Sequence, residues 1–163
     1  MPDVPRKSEA QGDEWGTPQY LIRFAADRWG PFDMDVCATE ENAKALLWIR
    51  PEEDGLKVPW PGRCWMNPPY SKPRPWIQRC VDQVRTYSAY SIVALMNVDF
   101  SVGWGRDIVE ASDAVDEIAF IQHRVRFEGA SLVNMRPSMY VYFRRNPSGV
   151  IRQAFVDPDK EAG

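Results

Sequence analysis

Apolar residues recur with two different periods along the chain, and their order predicts an α/β architecture. Across Gln19–Trp29 they follow the spacing of an amphipathic helix, which Gly30-Pro31 ends. Residues 32–37 alternate between apolar and acidic side chains, and residues 91–96 are almost continuously apolar, as expected of a strand and of a buried strand. Further strands are predicted at 63–66, 114–121, 125–127 and 139–143, further helices at 76–84 and 104–110, and 43–49 fits either. Strands that alternate with helices indicate a compact domain with a mixed, mostly parallel sheet and flanking helices.

A single domain is expected, because 163 residues suffice for one core of ordinary size. Residues 1–13 are polar, contain two prolines and lack an apolar signal core, so we interpret them as a flexible leader. The domain is then expected at 14–156, followed by a tail at 157–163. At the start of the first helix, Thr17 is expected to be the N-cap and Pro18 the first helical residue.

Composition and charge narrow the class of protein. Fourteen prolines exclude a simple helical bundle, because proline breaks helix interiors. Three cysteines without a CxxC pair argue against a disulfide framework or a cysteine zinc site, and no run of about 18 apolar residues suggests a membrane span. The net charge is −3, yet acidic residues predominate over 27–54 and basic residues over 72–85 and 124–152. A local anion-binding face is therefore expected in spite of the acidic total.

The most distinctive segment is Asn67-Pro68-Pro69-Tyr70, which directly follows the strand predicted at 63–66. Two consecutive prolines hold the backbone extended and rigid after the strand. The Asn67 side-chain oxygen and the Pro68 carbonyl can then converge on one point, where two acceptors suit the two hydrogens of a planar NH2 group. Tyr70 adds a flat face for an aromatic ring. This segment predicts a site for the exocyclic amine of an aromatic base.

Several motifs together resemble the phage-type DNA N6-adenine methyltransferases, the bacteriophage Dam family. The similarity extends over about residues 14–143. Its motifs are Trp15-x-Thr17-Pro18, Phe32-Asp33-Met34-Asp35-Val36-Cys37-Ala38, Asn42-Ala43, Asp54-Gly55-Leu56, Trp65-Met66-Asn67-Pro68-Pro69-Tyr70-Ser71, Ile118-Ala119-Phe120-Ile121, Arg124-Val125-Arg126-Phe127 and Pro137-Ser138.

The resemblance implies a Rossmann-like class I methyltransferase fold and S-adenosylmethionine as methyl donor. It assigns the flipped adenine to the catalytic residues Asn67, Pro68, Pro69 and Tyr70. It implies that Asp35 lies near the methionine portion of the donor, that Thr17 and Pro18 close over it, and that Asp54 contacts the donor's adenine. The full expected donor-binding set is Trp15, Thr17, Pro18, Asp33, Asp35, Cys37, Asn42 and Asp54.

The implied substrate is double-stranded DNA, and a base inside a duplex must be flipped out to reach such a pocket. The residues expected to contact DNA are Lys72, Arg74, Arg124, Arg126 and Arg136. Neither a metal nor a membrane is implied, and the expected location is the cytoplasm, that of a bacterial host if a phage encodes the chain. Two departures from the pattern concern the donor site. No glycine-rich turn follows the first predicted strand, and Glu40 and Glu52 are the only candidates for the donor's ribose hydroxyls.

Other interpretations stay open from the sequence. The same geometry serves methylation of the cytosine amino group or of a glutamine amide in a protein. A catalytically silent DNA-binding protein could keep the same fold. Asp33 and Asp35 could form a metal pair, although further ligands at fixed spacing are missing. His123 could belong to a Ser-His-Asp triad, but no GxSxG turn accompanies it, so we expect a structural or phosphate-facing role.

Overall fold

The computed structural model describes residues 16–161, which form one mixed sheet with helices on both faces. The strands of this part of the chain are β1 (Met34–Asp35), β2 (Leu47–Trp48), β3 (Gly62–Met66), β4 (Ala89–Asn97), β5 (Val115–Ile121), β6 (Ser138–Arg144) and β7 (Arg152–Val156). The helices are α1 (Gln19–Trp29), α2 (Pro73–Arg85), α3 (Gly103–Glu110) and the short α4 (Pro158–Glu161), with a 3-10 turn at Pro51–Glu53. None of the helices within 16–161 is long and apolar enough to cross a membrane.

The strand order is β2-β1-β3-β4-β6-β5-β7, and β6 runs antiparallel to both of its neighbours. The remaining pairs, β1–β2, β1–β3, β3–β4 and β5–β7, are parallel. After β1 the chain goes to one side, forms β2, and then crosses back to form β3 on the other side. Such a reversal at β1 opens a crevice at the carboxyl ends of β1 and β3, where α/β sheets bind ligands.

Alternation along the central strands divides the core into two layers. In β3, Cys64 and Met66 face one layer and Trp65 faces the other. The first layer packs against α2 and α3 through residues such as Ile77 and Ile108, whereas the second packs against α1. The predicted Rossmann-like α/β fold, with a mostly parallel sheet and flanking helices, is therefore confirmed.

Three sequence predictions need correction. Residues 125–127 are not a strand. Val125 and Phe127 are buried, which explains the alternation, but the Val125 carbonyl accepts the Asn134 amide (2.6 Å) and the Phe127 carbonyl accepts the Ala130 amide (3.1 Å), so the backbone turns.

Strand β7 was not predicted, because its outer side chains are exposed and no apolar run marks it. Thr17 is not an N-cap either. Pro18 occupies that position, and no side chain caps α1.

Two buried carboxylates of β5, those of Asp116 and Glu117, stabilise the β5–β7 edge of the sheet. Glu117, about 3% exposed, accepts hydrogen bonds from Arg28 Nη2 (2.5 Å) and from the Trp29 indole (3.0 Å). Its neighbour Asp116 accepts one from Arg152 Nη2 (2.8 Å), which draws β7 onto β5. Buried charges of this kind are tolerated only while their partners remain in place.

We expect Arg28→Met to lower the free energy of unfolding by about 2 kcal/mol, because it removes the nearer of the two cations from the buried Glu117 carboxylate and leaves only Arg152 at 3.6 Å. Arg85→Met is the matched control. Arg85 also pairs with a carboxylate, that of Asp113 at 2.6 Å, but both side chains are largely exposed, so its removal should cost less than about 1 kcal/mol. Urea denaturation of the two variants measures the difference. Equal effects would show that Glu117 does not depend on Arg28.

Candidate active site

A cavity of about 620 Å³ opens where the sheet reverses direction, at the carboxyl ends of β1 and β3. Its size lies in the usual range for small-molecule and cofactor sites. The walls are formed by the loop after β1, the segment around the 3-10 turn, the start of the Asn67–Tyr70 loop and α2. The lining residues are Val36, Cys37, Ala38, Thr39, Glu41, Asn42, Ile49, Arg50, Pro51, Asp54, Gly55, Asn67, Pro69 and Trp76.

Asp35 supports the loop that forms one wall of this cavity. Its carboxylate is buried, and its two oxygens accept the backbone amides of Cys37 (3.2 Å) and Lys44 (3.0 Å). Burial raises the pKa of the Asp35 carboxyl to about 6, although these two backbone hydrogen bonds lower it. The carboxylate thus fixes the path of residues 37–44, where the sequence has no glycine-rich turn.

The Asn67 amide is oriented by Thr17. Asn67 Nδ2 donates to Thr17 Oγ1 at 3.0 Å, which brings the start of α1 against the end of β3. Thr17 is about 2% exposed, so the bond is shielded from water. Within residues 16–161 the other amide atom, Asn67 Oδ1, has no hydrogen-bond partner, and Asn67 itself lines the cavity. An oriented acceptor therefore stands at the cavity rim.

Tyr70 is held in a fixed position by contacts on two sides. Its hydroxyl donates to the Leu95 carbonyl (3.1 Å). Its ring meets the edge of Phe127 at a centroid distance of 6.0 Å and an interplanar angle of 72°. Burial raises the pKa of the Tyr70 phenol well above its ordinary value, so the hydroxyl stays protonated. Pro68, two residues earlier, is buried as well, and its fixed backbone angle makes the Asn67–Tyr70 loop rigid.

Glu128 links three separate segments beside the site. Its backbone amide donates to the Gly16 carbonyl (2.9 Å), and its carboxylate pairs with Lys44 Nζ (3.2 Å). A Cβ at Gly16 would lie 2.5 Å from Glu128 Oε2, so a larger residue there would require the Glu128 side chain to move. The Gly16-Thr17 segment, the loop after β1 and the long β5–β6 loop are therefore held together.

The structure brings most of the expected donor-binding residues together. Cys37, Asn42 and Asp54 line the cavity. Asp35 lies beneath the loop and Thr17 at Asn67, as described above, with Pro18 next to it. Asp33 lies elsewhere: its carboxylate accepts the Arg63 amide (2.8 Å) at the amino end of β3, away from the cavity. Trp15 lies outside the described residues.

The expected DNA-contacting residues are all exposed, but they differ in their partners. Arg74 forms a bidentate ion pair with Asp107, with Nε 2.9 Å from Oδ2 and Nη2 3.4 Å from Oδ1. Arg136 Nη1 lies 3.4 Å from Asp99 Oδ2. Lys72 precedes α2, beside the Asn67–Tyr70 loop. Arg124 and Arg126 flank the buried Val125 and have no side-chain partner within residues 16–161. These last two are the arginines most available to an anion.

The cavity residues that were not predicted from the sequence include Thr39, Glu41, Arg50 and Trp76. Glu41 lines the cavity, whereas Glu40 and Glu52, the expected candidates for the donor's ribose, do not. A hydrogen bond with Thr39 holds the pKa of Glu41 below its ordinary value. Trp76 has the spacing of a core residue on α2, and only the sheet reversal shows that it reaches a ligand cavity.

His123 has a structural role in this arrangement. Its Nε2 lies 3.0 Å from the Tyr20 hydroxyl and its Nδ1 3.4 Å from Asp157 Oδ1. The ring therefore joins α1 to the segment before α4, which belongs to the predicted tail. No Ser-His-Asp arrangement is formed by these contacts.

A Rossmann-like sheet whose ligand cavity opens beside an Asn-Pro-Pro-Tyr loop is the arrangement of an amino-group methyltransferase. The chain belongs to the DNA N-6-adenine-methyltransferase (Dam) family, whose model matches residues 5–160. It is 34% identical over 154 residues to the DNA N-6-adenine-methyltransferase of Haemophilus phage HP1, covering 88% of this chain and 86% of that protein. The enzyme of the same name from Escherichia phage T1 is 31% identical over 116 residues, 70% of this chain and 47% of the phage protein.

This membership confirms the predicted enzyme class, an adenine-specific DNA methyltransferase that transfers a methyl group from a methyl donor to adenine in DNA. It favours adenine over the cytosine, protein-amide and silent-binding interpretations. Family membership leaves the roles of individual residues to be argued from their geometry.

The raised pKa of Asp35 generates a prediction about stability and pH. The folded chain binds this proton more tightly than the unfolded chain, whose ordinary pKa is 3.8. The contribution of Asp35 to stability is therefore complete below pH about 4 and disappears as the pH rises through about 6. Relative to Asp35→Asn, which does not titrate, the free energy of unfolding of the unaltered protein should fall by about 2 kcal/mol between pH 4 and 7. Urea denaturation across this range measures the difference, and a constant offset would mean that Asp35 is not perturbed.

Proposed function

We propose that the cavity binds S-adenosylmethionine and that the Asn67–Tyr70 loop holds the amino group of an adenine flipped out of duplex DNA. The observation that carries this proposal is the Asn67 amide. Its nitrogen is bonded to Thr17, and its oxygen is left without a partner among the described residues at the rim of the cavity. An acceptor placed in advance between a donor cavity and a base site is what amine methylation needs.

The cavity suits the proposed donor in volume and in chemistry. Val36, Ile49 and Trp76 give it apolar walls, which match a flat adenine ring. Glu41 and Asp54 add carboxylates, which can accept hydrogen bonds from ribose hydroxyls or from an ammonium group. Asp54 is fixed by its own contacts, with the Leu56 amide (3.2 Å) and with Lys57 (3.0 Å).

S-adenosylmethionine, when bound, supplies an electrophilic methyl group on a sulfonium centre. The amino nitrogen of adenine is a weak nucleophile, because its lone pair is delocalised into the ring. Asn67 Oδ1 and the Pro68 carbonyl accept its two hydrogens and so favour a localised lone pair. The hydrogen bond from Asn67 Nδ2 to the Thr17 hydroxyl favours the orientation in which the amide oxygen, and not the NH2 group, faces the substrate. The remaining requirement is in-line placement, which a rigid loop supplies.

Tyr70 provides a stacking surface for the flipped base. Its hydroxyl bond to Leu95 and its contact with Phe127 set the plane of the ring before the substrate arrives. Stacking on an aromatic side chain is worth about 1–3 kcal/mol per base. This offsets part of the cost of unstacking and unpairing the adenine, which is a few kcal/mol. Action in the cytoplasm of a bacterial host belongs to the same proposal.

The test is transfer of tritiated methyl groups from S-adenosylmethionine to plasmid DNA, with digestion to nucleosides. We expect labelled N6-methyladenine from the unaltered protein. Asn67→Ala should lower kcat at least about a hundredfold, as removal of one preorganised polar contact does, with little change in DNA affinity. Label in methylcytosine, or normal turnover of Asn67→Ala, would contradict the proposal.

Thr17 offers a matched pair of variants for the orientation of the amide. Thr17→Ser keeps the hydroxyl and should keep most of the turnover. Thr17→Val keeps the shape but removes the acceptor for Asn67 Nδ2, so its kcat should fall while binding of S-adenosylmethionine, measured by calorimetry, changes less. Equal activity of the two variants would show that Thr17 does not orient Asn67.

DNA binding should depend strongly on salt although the protein is acidic overall, since phosphate contacts release counterions. Replacing Arg124 and Arg126 together by alanine should lower the slope of log affinity against log salt by about one unit for each phosphate that is no longer neutralised. Arg85→Ala, at an exposed ion pair with Asp113, is the control. An unchanged slope in the double variant would assign both arginines to a solvated face.

A further inference from the structure

The tip of the β5–β6 loop exposes large apolar side chains. Leu132 is 72% exposed, Met135 84% and Val133 40%. Single exposed apolar residues are ordinary, but three within four positions on one loop indicate a contact surface. None of these three side chains lines the cavity, so their exposure is not explained by binding of the methyl donor.

The loop is anchored at its base, so the apolar tip is not simply unfolded. The Asn134 amide donates to the Val125 carbonyl (2.6 Å), and its side chain donates to Asn97 Oδ1 (2.8 Å) at the end of β4. On the return side the Val98 amide donates to the Pro137 carbonyl (2.8 Å). Leu132 and Met135 project from this base instead of packing into the core.

The loop also stands beside the proposed base site. Phe127, near its beginning, is the residue whose ring meets Tyr70. Glu128, the next residue, is bonded to Gly16 and Lys44. The tip thus rises from the same edge of the sheet as the Asn67–Tyr70 loop.

The positive charges around the loop tip indicate which kind of partner it binds. Arg124 and Arg126 precede it and are exposed, and Arg136 follows it. The nearby acids are already engaged, Asp99 with Arg136 and Glu128 with Lys44. Apolar side chains flanked by arginines match a nucleic-acid duplex, in which phosphates surround stacked apolar bases.

We propose that Leu132 and Met135 insert into the DNA duplex at the target base pair and occupy the space that the flipped adenine leaves. This inference rests on the base flipping proposed above. Apolar wedges of leucine and methionine are known to separate base steps, and the cost of unstacking is met by contacts with the protein. The arginines beside the tip hold the phosphates on either side, while Tyr70 receives the base.

The experiment compares the double variant Leu132→Ala/Met135→Ala with Val150→Ala. Val150 is also exposed (69%), but it lies in the β6–β7 connection, at the amino ends of β5 and β7, whereas the tip follows the carboxyl end of β5. The target sequence is first mapped by methylation of a plasmid. Two duplexes are then used, one fully paired and one with an abasic site opposite the target adenine, and 2-aminopurine in place of the target adenine reports flipping.

We expect the kcat/KM of the double variant to fall at least tenfold on the paired duplex and to recover most of this on the abasic duplex, where no base pair must be opened. The rise in 2-aminopurine fluorescence should be weakened in the double variant and normal in Val150→Ala. Equal decreases on both duplexes, or no decrease on either, would overturn the proposal. So would a change of oligomeric state with normal flipping, which would assign the tip to a second copy of the chain. If the unaltered protein methylated neither duplex, the proposed function would fail instead.

Discussion

The buried carboxylate of Asp35 is the constraint on which the active site depends. Strand β1 has only two residues, and the loop after it must form a cavity wall without a glycine-rich turn. Two backbone amides from opposite ends of that loop converge on one carboxylate, which replaces the missing turn by hydrogen bonds. This arrangement places the charge of the Asp35 carboxylate in an apolar environment, which is unfavourable and therefore raises the pKa of the carboxyl. Asp35 therefore shapes the cavity wall through the loop, as a positioning residue.

Much of the fold could be predicted because its signals are local. The helical period of α1 and the apolar runs of β3 and β4 each reflect burial in the two layers of the core. The elements that were missed or misplaced depend on tertiary contacts. β7 is an edge strand with exposed side chains, held by its pairing with β5, and Val125 and Phe127 are buried without belonging to a strand.

The candidate site divides in the same way. The Asn67–Tyr70 loop could be recognised because two prolines and an aromatic residue after a strand restrict the backbone and the chemistry together. The expected N-cap role of Thr17 was wrong, because its residue type suits a cap, whereas its hydroxyl is bonded to Asn67, 50 residues away. Asp33 and Asp35 share a face in the sequence pattern, but Asp33 precedes the two-residue strand β1 and Asp35 ends it. Only Asp35 reaches the loop.

The contacts of Glu128 and Thr17 join the walls of the cavity and the β5–β6 loop into one assembly. The Gly16-Thr17 segment touches Asn67 at one residue and Glu128 at the other. Glu128 in turn holds Lys44, the residue whose amide is bonded to Asp35. The β5–β6 loop is thus linked through these contacts to both the Asn67 amide and the cavity wall. Because these segments are short and directly bonded, a change in the path of one of them must be accommodated by the other two.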